Sequence, residues 1–224
     1  MTYRSGKFTM FADLPLVLPN LKGAEDRARL LSALATEETW LVNLYVDEHS
    51  NLDALANYWG RGGRVNQVRP YLESLSKVPG GEKFSIRGVL PPFAQTRLFT
   101  YPVPSQNPVE QQRDCHWSAM NFFNTTPNDS FSANPMAVEQ EIHDHYHEVY
   151  ANFQFGDAVL FYTRNGENMK IFHTAIYLAE NLIFTKNGRR AADPWMIMKL
   201  DEMKDYYPQT TEIKQMYFRR NDLE

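Results

Sequence analysis

The chain has 224 residues, 43% of them hydrophobic and 22% charged, enough to bury a sizeable core as one large domain or two small ones. Its net charge of −4 at pH 7 argues against nucleic acid or an anionic membrane as the main partner. No window approaches the roughly eighteen apolar residues of a membrane span, and a single cysteine excludes an internal disulfide.

Residues 1–22 read as an extended arm that packs through Phe8, Phe11, Leu14, Leu16 and Leu18. Neither Met1–Lys7 nor the proline-broken Leu14–Pro19 forms the apolar segment of an export signal, so the location stays open between a cytoplasmic chain and an exported one already processed. Residues 23–80 are expected to be mostly helical. Leu30, Leu31, Leu34 and then Trp40-Leu41 recur at helical spacing, and Asn51 caps a second helix that ends at Gly60. Val65 to Leu75 makes a third, closed by Val78-Pro79-Gly80-Gly81. Trp59-Gly60-Arg61-Gly62-Gly63-Arg64 lacks the Gly-Lys-Ser/Thr ending of a phosphate loop and follows a helix. It reads as a helix–helix turn carrying two exposed arginines, with some interest as a surface for an acidic ligand.

Phe84–Leu90 alternates weakly, and Thr96–Pro102 looks like a strand entering the second half of the chain. Pro102, Pro104 and Pro108 then hold an extended approach, followed by a polar turn at Val109–Gln112. Asp114 is a good N-cap, and Cys115 stands where Trp117, Met120 and Phe122-Phe123 begin a helical apolar face. A thiol in a first helical turn meets free backbone N–H groups and the positive end of the macrodipole, which favour thiolate. A lone cysteine is also a common small buried hydrophobe. A further helix is expected from about Pro135 to Tyr150, with His143 and His147 at i, i+4 on one face. No third ligand accompanies them, so a solvated charged face is read there and no metal.

Downstream the pattern turns to strands. Phe155–Tyr162, Ile171–Leu178 and Leu182–Thr185 are separated by Arg164–Asn168 and by Glu180-Asn181, an antiparallel meander with His173 on its central strand. Trp195–Leu200 and Lys214–Arg220 are further strands, with a polar turn or short helix at Asp201–Tyr207. A cysteine opening a helix and a histidine on the following sheet suit a papain-like nucleophile and base.

Asp-Cys at a helix start, Gly156-Asp157 before an apolar strand, and His173-Thr174-Ala175-Ile176-Tyr177-Leu178 with its short turn together resemble the NlpC-type papain-like peptidases of bacterial cell walls, in the non-permuted order of cysteine before histidine. The resemblance spans about residues 100–190. It implies an α+β fold with a papain-like core, a cysteine helix on an antiparallel sheet of about five strands, carrying a helical N-terminal unit. The expected division is 1–95 and 96–224. It further implies a cysteine hydrolase that cleaves peptide or amide bonds, with peptidoglycan stem peptides as substrate and no cofactor. Cys115 is then the nucleophile and His173 the base. The family's third polar residue falls on Thr185, and Asn187, on the same face two residues later, is preferred as orienter. Tyr101, Gln111 and Gln112 are open candidates for the side chain that joins the Cys115 N–H in an oxyanion hole. Asp114, His116 and Trp117 border the pocket. His116-Trp117 stands where the family has Ser-Gly, a bulkier wall that suits a different substrate. Two alternatives remain: an amidase or acyltransferase acting on another amide or lipid, and a binding module whose site has decayed.

Overall fold

The computed structural model describes residues 2–5, 8–103, 105–207 and 212–223. Pro104 of the expected approach and the side chain of Phe8 fall outside what is described. The chain opens with β1 (Thr2–Ser5) and β2 (Phe8–Phe11), which pair antiparallel with each other alone. A one-turn α1 (Leu14–Val17) and α2 (Ala24–Leu34) follow. The arm is therefore a hairpin and a helical turn, and its Leu16 is exposed instead of packed. α2 buries none of its residues and stops at Leu34. Trp40 lies beyond it in extended chain and bonds through its N–H to Ile197 O at 3.0 Å.

β3 (Asn43–Val46) pairs antiparallel with β4 (Glu82–Ser85) around two helices, α3 (Leu52–Trp59) and α4 (Val65–Ser76). Asn51 caps α3, its side chain accepting from Ala54 N–H. The turn between the helices differs from expectation. Arg61 and Arg64 are buried, because this turn sits under the last residues of the chain and not at the surface. Arg61 donates to Leu223 O and Gln154 Oε1, and Arg64 to the carbonyls of Val89, Trp59 and Arg61. Each is spent on acceptors within the fold, and neither is exposed as the surface for an acidic ligand that the sequence suggested.

α5 (Pro92–Arg97) replaces the strand expected at Thr96–Pro102. Pro91-Pro92 starts the helix, and Phe99, at φ 66°, ends the run. The polar turn before the cysteine is a short helix, α6 (Pro108–Gln111), capped by Asn107. α7 (Cys115–Met120), α8 (Ser130–Ala133) and α9 (Pro135–His145) come next. α9 ends at His145, because the chain becomes extended at Tyr146 and runs on as β5 (Tyr146–Val149). His147 is thus on a strand, bonded through Nδ1 to Asn221 Oδ1, and shares no helical face with His143. Among the described residues no group of three or more His, Cys, Asp or Glu side chains is placed to hold a metal ion.

The remaining strands are β6 (Ala158–Asn165), β7 (Asn168–Ala179), β8 (Leu182–Lys186), β9 (Trp195–Lys199) and β10 (Lys214–Arg220), with α10 (Leu200–Tyr206) between the last two. With β5 they form a six-stranded antiparallel sheet in the order β5-β10-β6-β7-β8-β9. The fold is α+β. Alternation along β7 sends Ile176 and Leu178 to one face of the sheet and Ala175 and Tyr177 to the other. The first face packs on the body of α7 through Trp117, Ala119 and Met120, and on α3, α4 and α5 through Trp59, Leu72 and Phe93. One apolar core therefore serves both halves of the chain. The division expected after residue 95 falls inside α5, whose Phe93 ring lies 5.2 Å from that of Trp117. None of the helices of the described residues is long and apolar enough to cross a membrane.

Candidate functional site

Local sequence puts Cys115 at the first position of α7. Asp114 is extended and its Oδ1 accepts from the N–H groups of His116 and Trp117 at 2.9 and 3.1 Å. Two of the first-turn donors expected to serve a thiolate thus serve the cap instead. The Cys115 N–H makes no hydrogen bond among the described residues. The thiol is buried, at 5% exposure. α7 rests against β7 and β8, and at this contact His116 Nδ1 meets the Thr174 hydroxyl at 2.8 Å. Burial lowers the pKa of His116, against the opposing pull of Asp114.

His173, next to Thr174 on β7, is fully buried and turns to the other face of the sheet, beside Phe161. Its partners fix its protonation pattern. Asn187 places its amide nitrogen 2.9 Å from Met198 Sδ, and a thioether can only accept. The amide oxygen is therefore the end that meets Thr185, and the Thr185 hydroxyl spends its one hydrogen on Asn187 Oδ1 at 3.3 Å. That hydroxyl is left to accept from His173 Nε2–H, 2.7 Å away. In that tautomer Nδ1 carries the lone pair and faces the Tyr207 hydroxyl at 3.2 Å. Thr185, on β8, touches the imidazole, and Asn187 acts one step further back through Thr185. The preference for Asn187 as direct orienter is corrected accordingly: both lie on the expected face, but the threonine hydroxyl stands between.

Tyr207 links the surroundings of the two candidate catalytic residues. Its hydroxyl bonds to the His173 ring, and its pKa is raised by burial first and then by the charge of Cys115. Sequence reasoning gave Tyr207 only to a polar turn or short helix. A tyrosine two positions behind Asp205, in a chain with many aromatics, carries no signal for this role. Lys186 is a second residue that was missed. It is fully buried on β8, and burial pulls its ammonium from the usual 10.5 to about 8, while Asp193, Cys115 and Asp114 pull the other way. Among the described residues no hydrogen bond joins the Cys115 thiol to the His173 ring, both of whose nitrogens are engaged.

Of the upstream candidates for an oxyanion donor, Tyr101 and Gln111 spend donors elsewhere, while Gln112 is held through its acceptor oxygen. The Tyr101 hydroxyl donates to Ala35 O at 2.7 Å, Gln111 Nε2 to Ser105 O at 2.9 Å, and Gln112 Oε1 accepts from Arg189 at 2.6 Å. Trp117 is wholly buried and donates through Nε1 to Asp129 at 2.9 Å, so it belongs to the core behind the thiol and not to an open pocket wall.

Gly156-Asp157 forms the corner where β6 begins. Gly156 has φ 93°, and a Cβ there would come within 2.4 Å of Phe123. Asp157, fully buried, accepts from Gln154 N–H and from Arg219 Nε and Nη2, each at 2.8 Å, with Arg61 3.9 Å away. Its backbone meanwhile pairs with Gln154 and Tyr177. The pair is an architectural knot joining the turn after α3 to β6, β7 and β10. No protein-family model matches the chain, and no curated protein matches it in sequence.

Proposed function

We propose that the chain is a cysteine hydrolase with a papain-like core, in which Cys115 is the nucleophile and His173 the base. The observation that carries the reading is the Asn187–Thr185–His173 relay, which leaves the imidazole lone pair on Nδ1. A ring nitrogen with a free lone pair is what a thiol proton needs as acceptor. For this transfer Tyr207, which occupies Nδ1 here, must move aside and the thiol at the start of α7 must reach this nitrogen, since no hydrogen bond joins the two among the described residues. Cys115 Sγ then attacks the carbonyl carbon as its proton passes to Nδ1. The oxyanion is met by the unpaired Cys115 N–H. The carbon–nitrogen bond breaks, the amine leaving with the proton from Nδ1, and a thioester remains on Cys115. A water molecule gives its proton to Nδ1 and attacks the thioester. The acid is released, and the sulfur regains its proton from the ring. No step calls for a metal or cofactor. The resemblance of the Asp-Cys, Gly-Asp and His-Thr-Ala-Ile-Tyr-Leu segments to NlpC-type peptidases points to peptide or amide bonds of peptidoglycan stem peptides, and so to a bacterial cell-wall role.

Mass spectrometry of protein mixed with peptidoglycan fragments and with simple peptide amides tests this. An acyl adduct on Cys115, absent from His173→Gln, supports it; intact fragments with no adduct from either class of substrate sink it. Transfer of the acyl group to an added amine, in preference to water, makes the protein an acyltransferase on the same machinery. A second reading, a binding module with a decayed site, draws on the engagement of both His173 nitrogens. It requires that Cys115→Ala retain every activity of the native protein.

A further inference from the structure

A cavity of about 330 Å³ opens beside α7, on the side of Trp117, away from His173. Its lining is basic in a chain whose net charge is −4. Arg97, Arg113, Lys186 and Arg189 all border it, against one carboxylate, Glu110. The four cations differ in how far the protein already satisfies them. Arg113 is neutralised by Asp129, through two bonds of 2.9 Å, with Glu110 3.5 Å away. Lys186 Nζ donates to Gly188 O at 2.5 Å and Arg190 O at 3.4 Å. Arg189 meets only the neutral Gln112 amide.

Arg97 is the outlier. Its guanidinium is half-buried and lies 4.0 Å over the Phe93 ring, within 5.4 Å of Trp117 and 5.8 Å of Trp195. Among the described residues its bonds run from Nη1, to Phe93 O at 3.3 Å and to the Thr96 hydroxyl at 3.5 Å. No carboxylate lies within salt-bridge distance of it among the described residues. Burial and the neighbouring Arg113 both work against its charge, with only Asp129 in its favour. Its Nε and Nη2 donors have no protein partner among the described residues and are open to solvent, which leaves them available to an anion that enters the cavity. Tyr101 and Val103, both exposed and lining the cavity, add apolar surface on which the rest of a ligand can lie.

We infer that this cavity is a binding site for a small ligand that carries an oxyanion group, carboxylate or phosphate, paired with Arg97, its apolar part resting on the exposed Tyr101 and Val103. The site follows from charge and shape alone and stands whether or not Cys115 is a nucleophile. The carboxylate source is a peptide end or acidic side chain; the phosphate source is a phosphorylated metabolite.

Calorimetric titration of the full chain with N-acetylalanine, N-acetylalanine amide and inorganic phosphate tests the inference. N-acetylalanine should bind at least about tenfold tighter than its uncharged amide, and more weakly as salt is added. Arg97→Gln should lose at least about tenfold in affinity, Arg97→Lys should keep part of it, and the exposed Arg87→Gln should keep all of it. Cys115→Ala should bind like the native chain, which separates this site from the hydrolase reading. Phosphate binding above that of the carboxylate, with the same dependence on Arg97, assigns the site to a phosphoryl ligand. Failure of both anions to bind, or binding that folded Arg97→Gln retains in full, overturns the inference.

Discussion

Two buried polar clusters lie on the six-stranded sheet, and they are built to opposite plans. Around Asp157 every donor and acceptor is closed upon another part of the fold: two bonds from Arg219, one from Gln154, and Arg61 beyond. Around His173 the hydrogen bonds run in one direction, the ring donating to Thr185, Thr185 to Asn187 and Asn187 to Met198, and among the described residues the other ring nitrogen is met by a tyrosine hydroxyl at 3.2 Å. The first arrangement has nothing left to give and serves stability. The second leaves one ring nitrogen facing a single tyrosine hydroxyl, the feature on which the proposed general-base role rests. Both segments looked alike as motifs; their hydrogen-bond accounts tell them apart.

Substitutions should separate the two clusters cleanly. Cys115→Ala and His173→Gln should lower kcat/KM on an amide substrate by about 10³-fold or more while leaving the urea midpoint close to native. A loss of stability that matches the loss of activity would put His173 in the same class as Asp157. Asp157→Ala should do the reverse. It strands buried guanidinium groups and should cost about 3–5 kcal/mol in urea unfolding. Thr185→Val keeps the shape of the side chain but removes the hydroxyl that orients the ring. It should reduce kcat by about 10- to 100-fold with KM little changed, and Asn187→Ala should act in the same direction, less strongly. Tyr207→Phe leaves the Nδ1 lone pair free, and the rate of thiol alkylation should rise a few-fold, by about the worth of one hydrogen bond; a fall would make the tyrosine hydroxyl part of the machinery. The smallest effect concerns Lys186. Between about pH 8 and 10.5 the unfolded chain holds more protons at this amine than the folded one, so its contribution makes the fold more stable as the pH rises through that window. Lys186→Met should flatten that part of the stability–pH curve.

Much of the second half of the chain was legible because alternation and turn chemistry agreed there. The strands from Ala158 to Lys199, the tight turn at Glu180-Asn181 and the N-cap at Asp114 stand where the pattern placed them. α10 resolves the choice at Asp201–Tyr207 in favour of a helix. The failures have local causes. Thr96–Pro102 alternates like a strand, but the preceding Pro91-Pro92 fixes a helix start that runs through Arg97. The periodicity from Pro135 continues past His145 in the letters, yet pairing of β5 with β10 makes that stretch a strand. Arg61 and Arg64 read as surface because arginines usually are; only the long-range partners Leu223, Gln154 and Val89 reveal that they are inside. The same holds for the site. Cys115, His173, Asn187 and Thr185 entered as candidates through spacing and resemblance, whereas Tyr207 and Lys186 come near them through tertiary packing that no local pattern encodes.

The central claim is that His173 acts on the Cys115 thiol. The most direct test is the second-order rate of iodoacetamide alkylation of Cys115 at pH 7 in the folded native protein and in folded His173→Gln. The account predicts that the substitution slows alkylation by about 10²-fold, the low end of what a positioned base contributes. Equal rates in the two proteins would contradict it, leaving Cys115 a structural thiol and His173 a buried polar residue of the core.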